Sequence, residues 1–155
     1  MALQQELGMR QGFAEREHEA ALNVYFTASI LRKRATEFFR ERDLTDVQFN
    51  VLSLLHSQSG EEGGLNQVDL SRMMLVNRAN ITTLIDRMEQ AKLVKRVPVA
   101  EDRRYNLVVL TAHGRKRHDE VVADYRAETR RIMQVLSAEE LDDLMEKLER
   151  IRKAV

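Results

Sequence analysis

The 155-residue chain has no cysteine, a single proline and six glycines. Without cysteine there can be no disulfide, thiolate zinc site or iron–sulfur cluster, and no oxidant sensing by thiol chemistry. No apolar run approaches the length of a bilayer span, and 32% of the residues are charged. The start, "MALQQELGMRQGF", lacks a basic segment followed by an apolar core and a small-residue cleavage site, so it is not a secretory signal. These absences predict a soluble, cytoplasmic protein with no membrane partner, held together by packing alone.

Catalytic signatures are missing too. There is no glycine-rich phosphate loop and no GxSxG turn, and carboxylate runs such as "AEELDDLMEKLE" read as an exposed helical face. No catalytic residue is assigned, and an enzyme is not expected. The four histidines, His18, His56, His113 and His118, form no HExxH pair. His113 and His118 stand five apart, off the usual same-face helical spacing, so all four read as ordinary surface or core residues. No metal site and no cofactor is expected.

The net charge is zero, with 25 basic and 25 acidic residues, but it is unevenly placed. From Arg72 to Arg117 there are 11 Lys or Arg against 4 Asp or Glu; the remainder has 14 against 21. A neutral protein with one basic segment can attract a polyanion locally while its acidic remainder stays away.

Length predicts one continuous domain. Glu15 to Arg42 contains no Gly or Pro, and its apolar residues recur at three and four residue intervals, which predicts a long amphipathic helix. Thr45 with Gln48 forms a capping box for a second helix carrying Val51, Leu52, Leu54 and Leu55. After the loop "SQSGEEGG", Asn66 caps a short third helix through Asp69. Asn77 caps a fourth, "RANITTLIDRMEQA", with Val76 and Ile81 placed for a hydrophobic staple. Ile81, Leu84, Ile85 and Met88 make its buried stripe and leave Arg78, Asn80, Thr82, Thr83 and Arg87 for other work.

Two short apolar segments follow, "LVKRVPV" and "YNLVVLT", with "EDRR" between them, the pattern of a hairpin. Thr111 caps a fifth helix running to about Leu136; Ser137 and Glu140 box a sixth, where Leu141, Leu144, Leu148 and Ile151 form a narrow seam. The terminal helices either pack against a second copy of the chain or fold back on their own domain.

Two helices joined by a turn, then a hairpin, is the order of a winged helix-turn-helix, whose second helix enters the DNA major groove. Arg78, Asn80, Thr82 and Thr83 are the short polar or planar side chains such a helix needs near its start. The hairpin tip, with Arg103 and Arg104, can reach an adjacent minor groove, where Asp102 can orient an arginine. The tip can equally be a solvated turn, and the basic segment can equally meet an acidic protein surface.

The stretch "VNRANITTLIDRMEQAKLVKRVPVAEDRRYNLVVLTAHGR" resembles the MarR family of transcriptional regulators, in its capped R-A-x-hydroxyl helix, "DRME", "LV", Asp-x-Arg wing and "LT..G". The resemblance implies a mostly α fold with a small β-hairpin wing, dimerised through N- and C-terminal helices. It divides the chain into a helical dimerisation segment 1–44, a winged helix-turn-helix lobe 45–111 and a second helical dimerisation segment 112–155. It also implies a homodimer on a pseudo-palindromic double-stranded DNA operator, with Asn77, Arg78, Asn80, Thr82, Thr83, Arg87, Asp102, Arg103 and Arg104 as DNA-binding residues. Asp102 and Arg104 are its wing pair, Arg104 in the minor groove, and Arg87 supports the site through a salt bridge or phosphate contact.

Two residues depart from the pattern: Thr83 stands where many members carry arginine, and Lys92 where glycine usually follows the recognition helix. The family further implies a repressor released by a small, often aromatic and anionic effector bound between the dimer-forming helices and the lobe. Tyr25, Phe26, Phe39 and Tyr125 are aromatic enough to line such a pocket, but a core residue and a pocket residue look alike in one sequence and the core reading is preferred for each, so no ligand residue is assigned. A winged-helix protein-interaction module without specific DNA binding is the alternative.

Overall fold

The computed structural model describes residues 3–60, 63–75, 77–98 and 106–155, and of Arg78 only the backbone. A short helix, α1 (Leu3–Glu6), precedes the long α2 (Arg16–Arg40). Then come α3 (Asp46–Gln58), a two-residue strand β1 (Leu65–Asn66), α4 (Gln67–Met73), α5 (Arg78–Gln90), β2 (Val94–Pro98), β3 (Asn106–Leu110), α6 (Ala112–Met133) and α7 (Ala138–Lys153).

The helix starts lie where the capping residues put them. Thr45 accepts from the Gln48 amide while the Gln48 side chain accepts from the Thr45 amide. Ser137 and Glu140 make the same reciprocal pair at α7. Asn66, Asn77 and Thr111 accept from the backbone N–H three residues on at α4, α5 and α6. Each cap satisfies an amide that the helix itself leaves unpaired. The expected staple through Val76 lies outside the described residues. The first long helix is two residues shorter at its C-terminal end than expected, and the fifth expected helix ends at Met133.

α1 and β1 have no counterpart among the expected elements. β1 is too short to carry a period, yet it makes the hairpin a three-stranded antiparallel sheet in the order β1-β3-β2. Leu65 pairs with Val108, and on the other side of β3 Arg96 pairs with Val108. Gly64 lets β1 approach, because a Cβ there would lie 2.6 Å from a Val109 methyl and 2.8 Å from the Val108 carbonyl oxygen.

The core gathers one side of every element of the winged lobe. Phe39 from α2, Leu52 from α3, Leu70 from α4, Ile81, Ile85 and Met88 from α5, Val94 and Val108 from the sheet and Val121 from α6 are buried together. Phe39 stacks on Phe49 at 4.7 Å between ring centroids, and Tyr125 closes against both. This single core fixes the pose of α5, whose buried stripe leaves its opposite side to solvent.

α7 differs. None of its residues is buried, and Leu144, Met145 and Ile151 are exposed although they repeat at apolar helical spacing. Among the described residues no helix is long and apolar enough to cross a membrane.

Candidate nucleic-acid interface

α5 is oriented from both ends. At its start the Asn77 side-chain oxygen accepts from the Asn80 backbone N–H at 2.8 Å, so that oxygen is committed to the cap. At its end the Lys92 N–H donates to the Glu89 carbonyl and the Leu93 N–H to the Met88 carbonyl, both at 2.9 Å. That is the paired C-terminal lock of a Schellman turn, and Lys92 adopts its left-handed conformation with φ 57°. The glycine geometry is thus kept without glycine.

Thr111 ties the following helix to this turn. Its hydroxyl donates to the Lys92 carbonyl at 2.6 Å and accepts from the Gly114 N–H at 2.9 Å. Gly114 is buried, and a Cβ on it would sit 1.9 Å from the Leu93 carbonyl oxygen. The start of α6 can approach the end of α5 so closely only because that atom is missing.

The exposed side of α5 divides into two rows. Asn80, Thr83 and Arg87, at positions i, i+3 and i+7, share one surface strip, and all three are exposed. The Thr83 hydroxyl donates back to the Ala79 carbonyl at 3.1 Å, which uses its one hydrogen and leaves both oxygen lone pairs able to accept. Arg87 makes no ion pair among the described residues, so the structure supplies no internal acid for it.

Thr82, Asp86 and Glu89, at i, i+4 and i+7, form the second row, turned toward α4 and the wing. Thr82 lies 2.9 Å from the Gln67 side-chain amide of α4. With that amide nitrogen donating to Thr82, the Gln67 oxygen accepts from Arg96 Nε at 3.0 Å. Arg96 also pairs with Asp86 at 2.7 Å and with the Glu89 carboxylate. Thr82, placed among the groove-facing residues by the sequence, is therefore also part of an internal network.

Arg96 was not singled out by the sequence, where it is one of three basic residues between Arg87 and Arg103. Its signal was the spacing: a cation two residues into a strand that follows a helix ending in Asp-x-x-Glu. Asp102, Arg103 and Arg104 lie outside the described residues, as does the side chain of Arg78.

A second feature lies between α2 and α6. Leu31, Ala35, Phe38, Tyr125, Thr129 and Ile132 line a cleft of about 130 Å³, with Arg34 and Glu128 at its polar side. Glu128 accepts from Arg131 at 2.8 and 2.9 Å and from Arg34 at 2.7 Å. Those bonds, from Arg131 first and Arg34 second, lower its pKa to about 2. Tyr125 lines the cleft, whereas Phe39 is core, Tyr25 is exposed and Phe26 is not part of the lining. Phe38 was not among the expected lining aromatics.

Residues 42–104 match the family model described as MarR family. The transcriptional activatory protein BadR of Rhodopseudomonas palustris is 39% identical over 92 residues, which is 59% of this chain and 52% of BadR, so the match spans about half of that relative. The HTH-type transcriptional regulator FarR of Neisseria gonorrhoeae is 30% identical over 118 residues, covering 74% of this chain and 78% of FarR. Among solved structures, AbsC from Streptomyces coelicolor, a MarR family transcriptional regulator, superposes with a TM-score of 0.83 at 24% identity, over 93% of this chain and 97% of that one. MepR of S. aureus in its DNA complex superposes with a TM-score of 0.78 at 20% identity, over 87% and 97%. The two structural likenesses show the winged-helix fold, and the sequence matches make the conclusion firm: the chain belongs to the MarR family of transcriptional regulators.

Proposed function

We propose that this regulator works as a homodimer on a pseudo-palindromic double-stranded operator, α5 entering the major groove and the hairpin tip the neighbouring minor groove. The observation that carries the reading is the exposed row of Asn80, Thr83 and Arg87 on a helix held rigidly by the lobe core. Asn can bond adenine through two hydrogen bonds, Thr offers a methyl or hydroxyl to a base edge, and Arg meets guanine or phosphate. Arg78, Asp102, Arg103 and Arg104 complete the proposed surface, with Arg104 as the minor-groove arginine and Asp102 its guide. The fold of MepR in its DNA complex supports this use of the lobe.

The lobe is residues 45–111, carried by the segments 1–44 and 112–155. Dimerisation is supported by the uncovered apolar seam of α7, which a second copy would bury. Two half-sites about 34 Å apart, one helical turn, would then face the paired helices. The protein acts in the cytoplasm as a repressor, and a small aromatic or anionic effector releases it. The cleft between α2 and α6 supports that part: it is close in size to an apolar cavity of ~150 Å³ that admits one benzene ring. Arg34 at its side offers an anion a partner in place of Glu128.

Fluorescence anisotropy against the promoter duplex beside its own coding region, with scrambled duplex as control, tests the reading. Preferential binding, weakened in Arg104→Ala with a salt slope shallower by about 1, is expected. Equal affinity for every duplex would instead favour a protein-interaction module. A promoter fusion in cells lacking the protein reads the sign: higher expression means repression, and lower expression means activation, the role in the name of BadR.

A further inference from the structure

We infer that His56, His118 and Asp119 form a binding site for a zinc-like divalent ion that clamps α3 to α6. His56 lies in the last turn of α3, 62 positions before His118 on α6, so no sequence spacing announces the pair. The fold brings one nitrogen of each ring and a carboxylate oxygen of Asp119 within 4.8 Å of one another. Asp119 Oδ1 is 3.1 Å from His118 Nδ1 and 3.9 Å from His56 Nε2.

The surroundings are those of a prepared donor set. His118 is buried, its ring stacked on Phe49 at 5.7 Å on one side and on His56 at 4.4 Å on the other. Phe49 and His56 stand seven apart on α3, two turns along one face, which is why the His118 ring fits between them. Asp119 has no Lys or Arg partner among the described residues, in a chain with 25 of them; its recorded partners are the two imidazoles.

The donor chemistry selects the ion. Two imidazoles and one carboxylate suit zinc and its first-row neighbours, whereas magnesium and calcium prefer all-oxygen sites and copper(I) prefers sulfur. Zinc bonds of about 2.0–2.1 Å in a tetrahedron put donor atoms roughly 3.3 Å apart. The separations of 3.1 and 3.9 Å bracket that value. Because the rings are within 23° of parallel, His56 must tilt before both nitrogens can face one ion. Its side chain, 42% exposed, has room to do so. Three protein ligands leave a fourth position for water.

The inference goes beyond DNA binding and is tested without DNA. Full-length protein stripped with chelator and dialysed is titrated with zinc sulfate by calorimetry, with magnesium sulfate as control. One zinc per chain is expected, with affinity at least tenfold weaker in His56→Ala and in Asp119→Asn and unchanged in His113→Ala. Zinc should also raise the melting temperature of the wild type but not of His56→Ala. Circular dichroism checks that each variant is folded, which is expected because both substituted side chains reach solvent, His56 at 42% and Asp119 at 57% exposure. Wild-type affinity persisting in both variants, or zinc heats no larger than those of magnesium, would overturn the site while leaving the DNA-binding proposal standing.

Discussion

Glu89 at the end of α5 and Arg96 in β2 are joined twice: Glu89 Oε1 accepts the Arg96 backbone N–H at 2.7 Å, and Glu89 Oε2 accepts from the guanidinium. One carboxylate thereby fixes both the backbone and the side chain of the wing strand against the helix proposed to enter the major groove. Asp86 and Gln67 take the other nitrogens of Arg96, so the arginine gathers α4, α5 and β2 at a single point.

Glu89→Ala is expected to lower unfolding free energy by about 1–3 kcal/mol, because it removes the charge-assisted bonds to one nitrogen of a guanidinium only 22% exposed and to the Arg96 backbone N–H. Asp86→Ala should cost less, since the Asp86 side chain is 53% exposed and ion pairs in water contribute little. Urea melts of the two variants check the order. Equal losses would mean that Glu89 has no privileged role.

The two rows on α5 separate by experiment. Asn80→Ala should stay within about 0.5 kcal/mol of wild-type stability, yet flatten discrimination at one operator base pair by about 1–3 kcal/mol. Thr82→Ala, which breaks the bond to Gln67, should cost about 1 kcal/mol of stability and weaken all duplexes alike. Anisotropy against single-base operator variants, paired with urea melts, reads both. A specificity change in Thr82→Ala matching that of Asn80→Ala would erase the division between the rows.

How much of this was legible beforehand depended on the range of the interaction. Caps are local: Thr45, Asn66, Asn77, Thr111 and Ser137 each act on an amide three residues away, and all five mark true helix starts. The buried stripe of Ile81, Ile85 and Met88 follows from helical period alone. β1 was invisible because two residues carry no period, and its existence depends on β3, more than 40 positions away. Arg96 and the His56–His118 stack were hidden for a similar reason. Their partners are chosen by tertiary approach: for Arg96 the local pattern offers only the Asp-x-x-Glu at the end of the preceding helix, and for the histidines it offers nothing that distinguishes them from ordinary core or surface rings.

Lys92 offers a gain of stability. Its left-handed φ of 57° costs a residue with a Cβ roughly 1–2 kcal/mol that glycine escapes. Lys92→Gly should therefore stabilise by about 1 kcal/mol after the greater freedom of glycine in the unfolded chain is deducted, a rise of about 2–4 °C in melting temperature for a chain of this size. Calorimetry decides the matter; an unchanged or lower melting temperature would mean that the Lys92 side chain compensates its backbone.

Gly114 carries the opposite expectation. Alanine there puts a carbon 1.9 Å from the Leu93 carbonyl oxygen, a backbone atom that cannot swing aside as a side chain would. The α5 to α6 junction must open, and the Thr111 bonds to Lys92 and Gly114 stretch with it. A loss of about 1–3 kcal/mol in urea melts is expected. Any opening should also appear as faster amide exchange at Leu93 and Gly114, which a uniformly destabilised lobe would not single out.

Glu128 links the α2–α6 cleft to pH. Its pKa, about 2 when folded against an ordinary 4.5, means that the native state holds fewer protons at this site than the unfolded chain through that interval. The stabilisation is consequently complete at neutral pH and disappears as pH falls from about 4.5 through about 2. Glu128→Gln removes the titrating charge and weakens the acceptor for Arg131 and Arg34. Melting temperatures of wild type and variant should differ most near pH 7, begin to converge below about pH 4.5 and meet only as pH approaches about 2, with the wild type higher. Added salt should narrow the gap at pH 7 only in part, because the carboxylate is 15% exposed although both arginines reach solvent. A gap independent of pH would mean that Glu128 acts through packing alone, and that Arg34 is held at the cleft by something other than its charge.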